Sequence, residues 1–297
     1  MAPWIALALV GLLLGATNIR AVRGESFNYD LSGTDWPGLC QSGKKQSPIN
    51  IVTSAVKRAD GPSLLKVKHP LSREITVTNE EHAAAVSPQA GKRYYLTLPS
   101  GLHKLDHSDL QVPSIHLVDG VQAPMEAKFA YVNVGNTTRK SVFSVFLKLH
   151  PKDKDNAWLN LWLNDIPAAV NGTTKIAAKT NFMELLSFET PFWYYEGSQV
   201  HPPCTETVDW FISMRPKFVS TRQLATYMNF LPRTNVGDHT CIIHPLLVHP
   251  SPPQLSPPPF QMATYMNFLS RTNSGDRTNN RLPQPLNART VSVFRAS

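Results

Sequence analysis

Apolar and polar residues alternate with a period of two in four short stretches of the chain, at 74–77, 94–98, 128–132 and 141–147. That period puts successive side chains on opposite faces of an extended strand. Turn dipeptides punctuate these runs, Asp119-Gly120 and Gly135-Asn136 among them. Helical spacing is scarce. It is clearest at 158–166 and 221–231, with Thr221 placed to cap the second helix. The body from about residue 26 to 222 therefore reads as strand-rich, a mainly β (α+β) fold.

The two ends follow other patterns. Residues 4–15 form an apolar run of signal-peptide length, too short for a stable membrane anchor. Val22 and Gly24 are small enough for the −3 and −1 positions of a cleavage site. The expectation is a signal peptide at 1–24, a domain at 25–297 and secretion, with no transmembrane segment. Near the C-terminus the segment QLATYMNFLPRTNVGD (223–238) recurs as QMATYMNFLSRTNSGD (261–276). The copies differ only at Leu224/Met262, Pro232/Ser270 and Val236/Ser274. One spare copy is too few for a stacked repeat array, so a local duplication is expected. Between them PSPPQLSPPPF (250–260) is too rich in proline for helix or central strand. Residues 239–276 read as a surface-loop insertion, which costs little because loop entropy grows only logarithmically with length.

Composition narrows the class. Apolar residues make up 42% and charged residues 17%, a balance that builds a core and excludes wholesale disorder. The formal charge of +8 permits binding to anionic surfaces. Nucleic acid is not indicated, because no block of five or more Lys or Arg occurs. Three cysteines, Cys40, Cys204 and Cys241, imply one disulfide and one leftover thiol in an oxidising compartment, and leave the pairing open. Asn136 and Asn171 each begin an N-x-T glycosylation acceptor.

Five segments then become specific: WPGLCQSGKKQSPINI (36–51), PSIHLVDGVQAPMEAKFAYVN (113–133), VFSVFLKL (142–149), GSQVHPPCTETVDWFI (197–212) and NRLPQPLNARTV (280–291). In content and order they resemble the α-class carbonic anhydrases, from about residue 26 to 295. The resemblance implies a single domain around a central, mostly antiparallel ten-stranded twisted sheet. It also implies a Cys40–Cys204 disulfide, with Cys241 unpaired in the insertion.

The family chemistry implied is zinc held by three imidazoles, two from an H-x-H pair on one strand and one from its neighbour. The metal activates a water that attacks carbon dioxide. Here the H-x-H pair falls on Asp109 and Gln111, and the third ligand on Lys128. The Thr that orients the attacking oxygen falls on Val200, and the glutamate after Pro-Ser on Ile115. What matches is peripheral: Glu126, resembling the acceptor that supports the third ligand, His116 beside the lost glutamate, and His82 at the proton-shuttle position.

An amide oxygen is a weak zinc ligand, and an ammonium repels a dication. No zinc or other cofactor is therefore expected, with an Asp109–Lys128 pair and Gln111 filling the old site. An improvised metal site from His107, His201 and Asp109 is the alternative. The functional expectation is a secreted, catalytically inactive binding or structural module. Its candidate partners are an anionic cell-surface glycan, or a protein reached through the Pro-rich insertion. The competing expectation is a carbonic anhydrase, a carbonate hydro-lyase, with an atypical zinc site.

Overall fold

The computed structural model describes residues 27–57, 66–182, 184–231 and 278–295. The expected signal peptide, the Pro-rich insertion, the second repeat copy and Cys241 lie outside the described residues.

A twelve-stranded sheet organises the molecule. Nine strands follow one another across it in the order Thr173–Ile176, Ile75–Asn79, Ala84–Pro88, Gly101–Gln111, Met125–Asn133, Lys140–Leu149, Val208–Ser213, Phe192–Gly197 and Ser292–Phe294. Three strands branch off this path. Lys217–Val219 pairs with Lys140–Leu149, and Tyr95–Leu98 bridges Gly101–Gln111 to Lys66–Lys68. The expected count of ten is thus corrected to twelve, because these short branch strands share edges with longer ones. The antiparallel expectation holds for most pairs; Lys140–Leu149 pairs parallel with both Val208–Ser213 and Lys217–Val219. A separate three-stranded sheet joins Asn50–Ile51, Leu117–Val118 and Val121–Gln122. The hairpin in it turns at Asp119-Gly120, where both residues take positive φ. Two consecutive left-handed residues give the twist that a two-residue hairpin requires, and Asp and Gly tolerate it.

The central strands are covered on both faces. Along Lys140–Leu149, Phe143, Val145 and Leu147 enter one apolar cluster with Phe129, Tyr131, Trp158 and Trp162. Val142 and Phe146, on the alternate face, enter a second cluster with Ile115, Val200, Trp210 and Ile212. Strand alternation alone produces this division.

Helices are few. The expected helix at 158–166 is reduced to Ala157–Asn160, capped by the Asn156 side chain. Beyond it the amides of Leu161 and Trp162 bond three residues back, tightening the chain into turns. The second expected helix spans Thr221–Phe230, and its N-cap is Ser220, not Thr221. Ser220 and Gln223 form a reciprocal capping box, while the Thr221 hydroxyl is drawn to Asp153 at 2.7 Å. This helix uses the first repeat copy and buries its Gln223, Leu224, Tyr227 and Met228.

Residues 279–281 are tied to segments far earlier in the chain. Arg281 donates to the Cys40 carbonyl at 2.7 Å and the Ser47 carbonyl at 2.7 Å, and lies over the Trp36 ring. Cys40 and Cys204 form the expected disulfide, across a sequence separation of 164. Closing a loop of that length contributes on the order of 5 kcal/mol in the chain-entropy account. Asn279 bonds the backbone of Leu110, Val112 and His82, and Tyr227 donates to the same Leu110 carbonyl at 3.0 Å. The described chain before residue 232 and after residue 277 therefore converges on Leu110. Deleting residues 239–276 is expected to leave a single cooperative thermal transition, because the short remaining linker has little distance to span. Loss of cooperativity in that variant would place the segment in the core.

Candidate functional site

Two antiparallel strands make the floor. In their register Asp109 lies opposite Lys128, and Gln111 opposite Glu126. Alternation then presents all four on one face. The three residues at the expected ligand positions are brought together and buried. Lys128 Nζ stands 3.0 Å from Asp109 Oδ1, and Gln111 Nε2 donates to the same oxygen at 3.1 Å. The other oxygen, Asp109 Oδ2, faces His107 Nε2 at 3.4 Å. His107 Nδ1 bonds Asp106 at 3.0 Å. Charges alternate along this chain of contacts, from lysine to aspartate to histidine to aspartate.

Burial by itself favours the neutral acid at Asp109. The Lys128 ammonium and then His107 outweigh it and hold the carboxyl well below the usual carboxylate range. Burial also resists charging His107, but hydrogen bonds to Asp106 and Asp109 raise its pKa to about 9. The cluster is thus an internally neutralised network of ions at neutral pH, buried at Asp109 and Lys128 and reaching the surface at Asp106.

Glu126 Oε1 bonds the His116 ring at 2.7 Å, and its Oε2 accepts from the backbone amides of Ile115 and His116. His116 Nε2 in turn meets Tyr195 Oη at 2.7 Å, and Tyr195 donates to Ser47. Burial would push the Glu126 carboxyl up, but His116 and these donors bring it below its ordinary value. In this structure the carboxylate of Glu126 is bonded to His116 and to the backbone beside it.

The walls changed along with the floor. Val200 and Ile115, at the positions of the orienting Thr and its glutamate, both belong to the apolar cluster with Val142, Phe146 and Trp210. Together these two positions form part of one hydrophobic wall. The improvised site is not assembled. His107 joins Asp109, but His201 stacks on Phe27 at 5.8 Å and directs Nδ1 to the Pro202 carbonyl. Burial and then Lys128 lower the His201 pKa. His82 also packs on Phe27, at 5.2 Å, and edge-on to Tyr29. The residue at the shuttle position is held in an aromatic cluster.

Two participants escaped the sequence reading, Asp106 and Phe27. Strict alternation would turn Asp106 and His107 to opposite faces. The register shift between Leu105 and His107 brings them together. The available signal for it was the Asp-His-x-Asp spacing.

With the fold and floor in view, comparison with known proteins is direct. Residues 32–245 match the eukaryotic-type carbonic anhydrase family, and the chain belongs to that family. A carbonic anhydrase of Neisseria gonorrhoeae is 29% identical over 68% of this chain and 80% of its own length. Dioscorin DB3L of Dioscorea polystachya is 25% identical over 66% of this chain and 71% of its own. The α-carbonic anhydrase of Thermovibrio ammonificans, solved with the inhibitor sulfanilamide, superposes with a TM-score of 0.61. It is 26% identical, with 86% of this chain and 89% of that one covered.

The residues present do not fit the family's zinc. The one anionic donor, Asp109, already carries an ammonium at 3.0 Å. Among the three positions only Gln111 Oε1 is without a partner in the described residues, and a single amide oxygen holds no zinc. Among the described residues no group of three or more His, Cys, Asp or Glu is arranged to hold a metal.

Proposed function

We propose that this member of the carbonic anhydrase family does not hydrate carbon dioxide and works as a secreted binding or structural module. The observation that carries the reading is the Lys128–Asp109 ion pair, with Gln111 bonded to the same carboxylate. Lysine supplies permanently, as part of the chain, the positive charge that the family takes from a dication. Buried polar groups need partners, and here the ammonium, the carboxylate and the Gln111 amide nitrogen find theirs within the set. Secretion is supported by the apolar run at 4–15 and by the Cys40–Cys204 disulfide. Among the described residues no helix is long and apolar enough to cross a membrane. Glycans at Asn136 and Asn171 belong to the same reading, and both side chains lie exposed.

Metal analysis of the purified full chain, beside a carbon dioxide hydration assay, tests it. The expected result is no stoichiometric zinc and a hydration rate equal to buffer. One zinc per molecule together with catalysed hydration would establish the alternative, a carbonate hydro-lyase with an atypical site.

A further inference from the structure

Strand register aligns charged residues that are far apart in sequence. Lys68 pairs with Tyr95, Tyr95 with Lys104, Lys104 with Val132, and Val132 with Lys140. Directly paired residues share a face, so these five form one row across five strands. Val132 lies on the face of Lys128, two alternations along the same strand, so the row runs beside the Asp109–Lys128 floor. Neighbouring strands are roughly 4.8 Å apart, which spaces the three lysines at about 10 Å.

Among the described residues the side chains of these lysines have no ion-pair partner. Lys68 and Lys104 are exposed and Lys140 is half-buried. Asp106 lies within electrostatic reach of Lys104 and Lys140, and its carboxylate is already bonded to His107. At about 10 Å, mutual repulsion is largely screened at physiological salt, so the row persists without bound counter-charges.

We propose that the Lys68–Lys104–Lys140 row binds a linear sulfated glycan. A regular file of single ammonium charges, separated by the half-buried Tyr95 and Val132, matches a chain that carries anionic groups at repeated intervals. Single-stranded nucleic acid fits less well, because its binding draws on exposed aromatic platforms for base stacking. The one aromatic in this row is half-buried between lysines. The inference rests on reading the protein as a binding module. It does not involve the Asp109–Lys128 pair, so absence of glycan binding would leave the reading of a zinc-free site standing.

The test uses the full chain with heparin as probe, titrated at several salt concentrations. Wild type is expected to bind, with affinity falling as salt rises. Changing Lys68, Lys104 and Lys140 together to Gln is expected to weaken binding about tenfold or more and to flatten the salt dependence. A control with Lys152, Lys154 and Lys179 changed to Gln alters the net charge equally and is expected to retain the affinity. The single substitution Lys104→Glu reads the same site should the triple variant fold poorly, and is also expected to weaken binding. Three results would each overturn the proposal: no heparin binding by wild type at low salt, equal losses in both triple variants, or tighter binding of single-stranded DNA through the same three lysines.

Discussion

Replacing Lys128 by methionine is expected to destabilise the domain by about 3–5 kcal/mol. The side chain keeps an apolar stem of similar shape but loses the terminal ammonium that stands 3.0 Å from Asp109 Oδ1. Asp109 is only 7% exposed, so water does not replace the lost partner. His107, bonded to Asp106 as well, neutralises only part of the remaining charge. Adding Asp109→Asn to Lys128→Met is expected to recover most of the loss, since an amide can bond Gln111 and His107 without an unpaired charge. Chemical denaturation of both variants measures this. A cost under about 1 kcal/mol for Lys128→Met would mean that the pair is screened like a surface ion pair.

The second large effect is a gain. Changing Asp109, Gln111 and Lys128 to His is expected to create a site for one zinc per molecule. The two strands already present these positions on one face, and imidazoles replace an acid, an amide and an ammonium. With zinc at 1,000 times its dissociation constant, the stabilisation would reach about 4 kcal/mol, read as a zinc-dependent rise in melting temperature. Because Glu126 Oε1 already bonds His116, the third imidazole would compete for that carboxylate. Affinity is expected to fall roughly 10–100-fold short of a fully supported site. Hydration activity is expected to stay low until Val200→Thr is added, with Ile115→Glu beside it, as both positions now lie in an apolar cluster. A triple-His variant that folds and binds no zinc would show that the cross-strand register of Asp109 and Lys128 is misassigned.

The register was readable through the resemblance to the carbonic anhydrases. Pro113-Ser114 on one side and Pro124-Met125-Glu126 on the other are anchors from which Asp109, Gln111 and Lys128 could be counted, and the strands pair as that count requires. The disulfide was readable in the same way, through the resemblance that placed Cys40 and Cys204 together. Local rules went less far at the helices. Two hydroxyl residues in succession, Ser220 and Thr221, could each cap, and the choice fell to Ser220 because Asp153 reaches Thr221 from a distant loop.

The sequence thus indicated which residues stand at the floor of the site through its resemblance to the carbonic anhydrases, because the order and spacing of the family's motifs are properties of the chain. It also determined that those residues are poor zinc ligands, because that is a matter of side-chain chemistry. Only the tertiary structure decided what each of them touches. The shift at Leu105/His107 turns Asp106 toward His107, the His116 ring takes the carboxylate of Glu126, and Phe27 covers both His82 and His201. The row of Lys68, Lys104 and Lys140 likewise exists only once five strands are in register. The reason is physical: partners contributed by separate strands and loops meet through the packing of the whole sheet, and no local period in the chain encodes which distant side chain arrives.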